Sequence, residues 1–166
     1  MKKYLVLALC LLILTVGHAQ NYTEYFANKT LRVDYIFTGD ASCQNVCLDE
    51  LSVLPSWAGR HQHLAELPLQ GNGQIIMKDL ESGKTVYTTS FSSLFQEWLE
   101  TDEAKVVSKG FENTFLLPYP LRPVEIEITL LSPRKEVRTC LKHTVRPNDV
   151  LIHQKGLSLI HISEPT

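Results

Sequence analysis

A strict alternation of apolar and polar side chains is the feature that most constrains the fold. In residues 124–131 (VEIEITLL), every second side chain from Val124 onward is apolar, and Glu125, Glu127 and Thr129 lie between them. This two-residue period matches a β-strand with one face toward a core and the other toward water. Strands of a parallel sheet are apolar on both faces, so the pattern also argues against a parallel sheet.

Segments of the same character recur along most of the chain. They cover residues 30–37, 41–53, 73–79, 84–91, 111–117, 124–131 and 136–145. The turn at residues 80–83 ends in Gly83, which suits a left-handed position, and the resulting hairpin should place Ile76 near Val86 or Tyr87. About seven strands at this spacing favour an all-β fold, an antiparallel β-sandwich of the immunoglobulin-like type.

The apolar period changes between residues 92 and 109, where it becomes helical. The apolar residues at helical spacing are Leu94, Phe95, Trp98 and Leu99. Ser92 or Ser93 is a suitable N-cap, and Gly110 is a suitable end. The sandwich should therefore carry a short helical insertion. Residues 55–69 and the prolines at 118, 120 and 123 predict connections between strands.

Residues 1–19 have the pattern of a secretory signal peptide. Lys2 and Lys3 precede an apolar run over residues 4–16, and small residues then lead to a cleavage site before Gln20. The run is short for a membrane span, although a retained N-terminal anchor is the alternative. The pattern favours cleavage and export to the periplasm, the cell surface or the extracellular space, with no membrane span left in the mature chain.

Residues 157–166 (LSLIHISEPT) are unlike the alternating segments before them. They resemble the translation of a transposon-based sequencing-library adapter at every position, and a natural polar tail is the alternative. We interpret them as an adapter-derived tail, which belongs outside the fold. The folded domain is then residues 20–156, and the native sequence should continue differently after residue 156.

Three cysteines remain once the signal peptide is set aside: Cys43, Cys47 and Cys140. An odd number allows at most one disulfide. Cys43 and Cys47 are four residues apart, which on one strand is too far for a direct bridge. Buried free thiols are favoured, and a bridge from Cys43 or Cys47 to Cys140 is the alternative.

No catalytic, cofactor or metal site is predicted. The sequence lacks HExxH, GxSxG, a Walker A loop and GxGxxG. His61 and His63 would share a face on a strand, but no third ligand stands nearby and we interpret them as solvated loop histidines. His143 has no acidic or cysteine partner beside it and is assigned a structural role. The net charge of −2 gives no reason to expect nucleic acid as a partner.

Trp57 and Tyr119 are the candidate interface residues. Each aromatic residue stands close to a proline, in PSW at residues 55–57 and in PYP at residues 118–120. Exposed aromatic side chains in such connections are typical of binding surfaces. Core packing explains either residue equally well, so both interpretations stay open at this point.

Five long blocks resemble a known family. They are LRVDYIFTGD (31–40), LDELSVLPSWAGR (48–60), LPLQGNGQIIMKD (67–79), TTSFSSLFQEWLETDEA (88–104) and FENTFLLPYPLRPVEIEITL (111–130). Together they resemble the N-terminal domain of the M64 family of secreted metallopeptidases, the IgA-peptidase group of gut Bacteroidetes. The resemblance extends over residues 29–156 and lies in the collinear blocks, not in any short motif.

The resemblance implies a parent protein in two parts. A β-sandwich would precede a zinc peptidase domain, in which two histidines of HExxH bind zinc and the glutamate is the general base. None of those residues maps onto this chain, so the resemblance implies zinc in the parent and no cofactor in this segment. The implied role is a non-catalytic accessory domain that supports the downstream peptidase domain or positions a protein substrate for it. An independent surface module that binds glycan or protein is the alternative.

Overall fold

The alternating segments form two β-sheets that pack face to face. In the computed structural model, which describes residues 21–66, 71–132, 134 and 136–155, each sheet has four strands. The predicted all-β antiparallel sandwich with a short helical insertion is confirmed. The predicted signal peptide and adapter-derived tail lie outside the described residues.

The first sheet has the strand order β5-β1-β2-β8, and the second has the order β4-β3-β6-β7. The strands are β1 (Phe26–Gly39), β2 (Gln44–Leu54), β3 (Gly73–Asp79), β4 (Thr85–Phe91), β5 (Lys109–Pro120), β6 (Val124–Leu131), β7 (Val137–Val145) and β8 (Ile152–Gln154). The helices are α1 (Tyr22–Tyr25), α2 (Leu94–Trp98) and a 3₁₀ turn (Glu103–Lys105). All neighbouring strands are antiparallel except β2 and β8, which are parallel.

The core lies between the two sheets and consists of the predicted inward positions. In β1 these are Leu31, Val33, Tyr35 and Phe37, all without exposed surface. In β6 the inward side chains Val124, Ile126, Ile128 and Leu130 are equally buried. Each such side chain contributes about 1.5 to 3 kcal/mol by leaving water, so the alternation itself specifies which sheet faces meet.

The strand pairing shifts register in two places, and one of these shifts corrects the predicted pairing of the β3–β4 hairpin. In the β3–β4 hairpin Gly83 has the expected positive φ of 68°, but Ile76 pairs with Thr88 instead of Val86 or Tyr87. Val86 is an extra residue between the partners of Met77 and Lys78, so it forms a bulge that shifts the register. In β2 a similar shift beside Tyr35 leaves Leu48 38% exposed at the sheet face.

Pro118 and Pro120 lie inside a strand, which the sequence did not predict. Both belong to β5, where they pair with Thr30 and Phe26. Proline has no backbone N–H to donate, so it is tolerated only where one side of the strand is unpaired. β5 is an edge strand of its sheet, which provides that condition.

Candidate docking surface at the exit end

The described chain begins and leaves at the same end of the sandwich. α1 leads directly into β1, whose Thr30 pairs with Leu54 at the end of β2. β8 runs parallel to β2, so Gln154 lies beside Val53 near that same end. Lys155 is held there, because its N–H donates to the Val53 carbonyl at 3.2 Å and its Nζ lies 2.9 Å from the Glu50 Oε1. We call this the exit end.

Two turns meet the start of β1 at the exit end. The N–H of Leu80, in the β3–β4 turn, donates to the carbonyl of Pro123 at 3.0 Å. The N–H of Leu121, in the β5–β6 turn, donates to the carbonyl of Tyr25 at 2.8 Å. The leucine side chains remain 47% and 50% exposed, respectively. Backbone hydrogen bonds therefore fix two apolar side chains in turns, where polar residues are usual.

Two cations flank the ring of Tyr25. The Lys84 Nζ and the Arg122 Cζ each lie 5.6 Å from the ring centroid, which is cation–π distance. Neither forms an ion pair within 4 Å with a carboxylate of the described residues. The ring therefore orients two positive groups, of which Arg122 also acts on the carboxylate of Asp79 without forming an ion pair with it.

A shallow cavity of about 300 Å³ opens between the two turns. It is lined by Asp79, Leu80, Glu81, Arg122 and Pro123. Asp79 is buried at its edge, where Oδ2 accepts from the Ser82 hydroxyl and N–H at 2.6 and 2.9 Å. The Ser82 hydroxyl, with a smaller effect of the Arg122 charge, holds the pKa of Asp79 below its usual value. Asp79 Oδ1 has no hydrogen-bond partner among the described residues.

Tyr25, Leu80, Lys84, Leu121 and Arg122 together form what we call the exit-end surface. It combines apolar side chains with positive charge and a concavity, which is the chemistry of a protein-binding surface. Its residues come from α1 and from two turns that are far apart in the sequence. In the sequence, this surface is indicated by a leucine in each turn, in LESG (80–83) and in PLRP (120–123).

Trp57 and Tyr119 also lie toward the exit end, but beneath the surface. Both are 9% exposed, so of the two interpretations that the sequence left open, core packing describes their side chains. The Trp57 Nε1 donates to the Arg60 carbonyl at 3.1 Å, and its ring meets Tyr87 edge-on. The Tyr119 hydroxyl donates to the Pro147 carbonyl. Their rings pack in the core, and their participation in an interface stays a prediction.

The histidines take the positions that the sequence predicted. His61 and His63 are exposed in the connection after β2, where the His61 ring contacts Tyr22 and the His63 Nδ1 lies 2.8 Å from the Glu66 Oε1. His143 is structural, because its Nε2 is hydrogen-bonded to the Tyr35 hydroxyl at 2.7 Å. Burial lowers the pKa of His143 to about 4 and raises that of Tyr35, so both are neutral at pH 7.

The described side chains do not fit a zinc site. Within residues 21–66, 71–132, 134 and 136–155, no group of three or more His, Cys, Asp or Glu side chains is arranged to hold a metal ion. The pair His63 and Glu66 supplies two donors and is fully open to solvent. A catalytic zinc needs three protein ligands, so no step of zinc chemistry follows from these residues.

The cysteines differ from the favoured interpretation in their burial. Cys43, Cys47 and Cys140 are free thiols, but all three are exposed. Cys47 and Cys140 are on outward positions of β2 and β7, opposite Ile36 and Thr129. The sequence prediction failed because a small apolar residue on an alternating strand is equally compatible with either face.

The fold and the site together describe a β-sandwich domain with exposed apolar and cationic side chains at its exit end. None of its described helices has both the length and the apolar character needed to cross a membrane. The family described as Peptidase M64 N-terminus matches residues 21–142, and the chain belongs to this family. No curated protein matches the chain.

Proposed function

We propose that this chain is the non-catalytic N-terminal accessory domain of an exported zinc metallopeptidase. The observation that carries the proposal is the family match over residues 21–142, which assigns the sandwich to the N-terminus of a peptidase family. The geometry agrees with this role, because the described chain leaves the sandwich beside an apolar and cationic surface. Proteolysis, and the zinc that it requires, belongs to the downstream domain.

The domain would act by supporting the peptidase domain or by positioning a protein substrate for it. Either role requires a stable surface and no reacting group, and the exit-end surface meets both requirements. Export is part of the proposal and is supported by the signal pattern at residues 1–19.

A second candidate is an independent surface module that binds glycan or protein. The half-exposed leucines and the cavity between the two turns favour it, since a ligand can occupy a concave surface without help from another domain. The two candidates differ in one respect. The accessory domain must change what the peptidase domain does, whereas the independent module must not.

The experiment compares the natural full-length protein with a variant that lacks residues 21–155. Its first step is to sequence an independent clone beyond codon 156, where we expect an open reading frame with HExxH. Deletion should lower the hydrolysis of a protein substrate roughly tenfold or more, because positioning and support are lost. The zinc content of the deletion variant serves as the control for an intact peptidase domain.

Two further readouts separate the forms of the accessory role. If the sandwich positions substrate, hydrolysis of a short chromogenic peptide survives the deletion while that of a protein does not. If it supports the peptidase fold, both activities and the melting temperature fall together. Unchanged hydrolysis of both substrates at unchanged melting temperature would overturn the proposed function and favour the independent module.

A further inference from the structure

We propose that the peptidase domain of the same protein docks on the exit-end surface. An apolar side chain of the peptidase domain would sit between Leu80 and Leu121, and its carboxylates would face Lys84 and Arg122. This inference rests on the proposed function, and it adds to that function where the contact is made and what chemistry the partner presents.

The two turns supply the apolar part of the exit-end surface. Turn positions are normally polar, whereas here Leu80 and Leu121 hold about half of their surface in water. Neither is free to turn inward, because its backbone N–H is bonded to a fixed carbonyl. A concavity lies beside them, and Pro123 forms part of its wall. A rigid apolar pair next to a cavity is suited to a side chain from a partner.

Lys84 and Arg122 supply the positive charge of the exit-end surface. Both are exposed and lie against the same ring, Tyr25, without an ion pair to any described carboxylate. Asp79 is close enough to feel the Arg122 charge, but its carboxylate is buried and already bonded to Ser82. Glu81 also lines the cavity, so the positive charge is confined to Lys84 and Arg122 at the Tyr25 ring, where a carboxylate of a partner would be favoured.

The position of β8 decides which partner meets this surface. β8 and β5 are the two edges of one four-stranded sheet, so they are three strand spacings or roughly 15 Å apart. About five extended residues after Lys155 are enough to reach Leu121, at the end of β5. The opposite end of the sandwich is further away by the length of the 11-residue β2, roughly 36 Å. A domain that follows residue 155 therefore meets the exit-end surface first.

The test uses carbodiimide cross-linking of the natural full-length protein. This reagent joins a lysine to a carboxylate in direct contact with it and adds no spacer. We expect a bond between Lys84 and an Asp or Glu of the peptidase domain, identified by mass spectrometry and independent of protein concentration. In Lys84→Arg the positive charge is kept but the reactive amine is lost, so this bond should disappear from the mass spectrum while the other cross-links of the protein remain.

Disruption of the surface uses two double variants of exposed residues. K84E with R122E reverses the charge, and L80D with L121D removes the apolar pair. Each should lower hydrolysis of the protein substrate as far as deletion of residues 21–155 does, roughly tenfold. The matched control is V106D with R134E, which changes an exposed apolar residue and an exposed cation at the opposite end, and it should leave hydrolysis unchanged. Circular dichroism verifies that each variant is folded. If L80D with L121D does not fold, the hydrolysis measured for K84E with R122E alone tests the docking surface.

The outcomes separate the two levels of the proposal. If deletion lowers hydrolysis but both exit-end variants behave as the control does, the accessory function stands and this docking surface is wrong. Cross-links of Lys84 that form only between copies, at a rate that rises with concentration, also overturn it and indicate self-association. If deletion itself has no effect, the proposed function fails first and the docking surface fails with it.

Discussion

Each end of the sandwich places a lysine over an aromatic ring, and the two arrangements differ in what neutralises the charge. At the opposite end, Lys109 Nζ lies 5.6 Å from the centroid of Trp98 and also 2.7 Å from the Glu103 Oε1. The other Glu103 oxygen accepts from the Trp98 Nε1 at 2.8 Å. At the exit end, Lys84 has the ring of Tyr25 and no carboxylate among the described residues.

The two ends differ in whether the lysine over the ring also has a carboxylate partner among the described residues. At the opposite end the Asp40 carboxylate is also satisfied, since it accepts from Ser42, Cys43 and Ser108. These bonds, that of the Ser42 hydroxyl first, lower the pKa of Asp40 to about 2. At the exit end Ser82 satisfies Asp79 in the same way, but Lys84 has no carboxylate at ion-pair distance among the described residues. The unmatched cations and leucines of this end are what we expect of a surface that is finished by another domain.

The largest predicted effect is on the free energy of unfolding, and it concerns one aromatic residue at each end of the sandwich. Phe95 is fully buried on the inner face of α2, where its ring meets Phe37 and Phe111. Phe95→Ala should lower the free energy of unfolding by about 3 to 5 kcal/mol, because it leaves a cavity in the core. Tyr25→Ala should cost about 1 to 2 kcal/mol, since Tyr25 is only partly buried and loses two cation–π contacts.

The measurement is urea unfolding followed by tryptophan fluorescence. The chain has two tryptophans, and Trp57 and Trp98 lie toward different ends of the sandwich. Trp57→Phe and Trp98→Phe backgrounds therefore report the ends separately. An equal loss of stability in Phe95→Ala and Tyr25→Ala would contradict the contrast between a closed end and an open one.

A smaller effect on the free energy of unfolding is predicted at acidic pH. It arises from His143, which lies between the two ends. His143 has a pKa of about 4 in the folded chain because burial disfavours its charged form, against about 6.5 when unfolded. The unfolded state binds the proton more readily, so stability should fall as the pH drops from about 6.5 to about 4. Allowing for partial exposure of the ring, the loss should be on the order of 2 kcal/mol.

His143→Gln tests this assignment. It should flatten the slope of unfolding free energy against pH within that window, because the buried ring that resists protonation is removed. The lowered pKa values of Glu103 and Asp40 act at the acid edge of the window and below it, because their contribution is lost as the pH falls through their ordinary values of 4.5 and 3.8. A slope that survives in His143→Gln would show that another group titrates.

The smallest effect should come from the ion pair that distinguishes the ends. Glu103→Gln removes the charge opposite Lys109 and should lower the melting temperature by a few degrees at most, since exposed pairs are weak. The reduction should vanish in 1 M salt, where such pairs are screened.

The sequence predicted the strands well because their alternation has a single interpretation. Val124 and its alternate neighbours were assigned to the core from period alone, and the N-cap at Ser93 follows from its side chain, which accepts from the Gln96 N–H. The three-residue strand β8 was missed, since residues 152–154 are too few to show a period. Pro118 was read as a strand end because a sequence does not show which strand will be an edge.

The exit-end surface was harder to predict than the fold. Tyr25, Leu80 and Leu121 are separated by tens of residues, and only the pairing of the sheets brings them together. Trp57 and Tyr119 lie toward the same end but are buried, and their part in an interface stays a prediction. The sequence could not show which aromatic residues are covered, because burial depends on contacts between segments distant in the chain.

The parallel pairing of β8 with β2 has a mechanical consequence. A force applied to the chain after Lys155 would pull β8 along its own axis, so the hydrogen bonds of the short ladder would bear the load together and not break one after another. The Lys155 contacts to Val53 and Glu50 would share that load at the point of attachment. Such a force would therefore reach the sandwich as shear between the edge strand β8 and its neighbour β2.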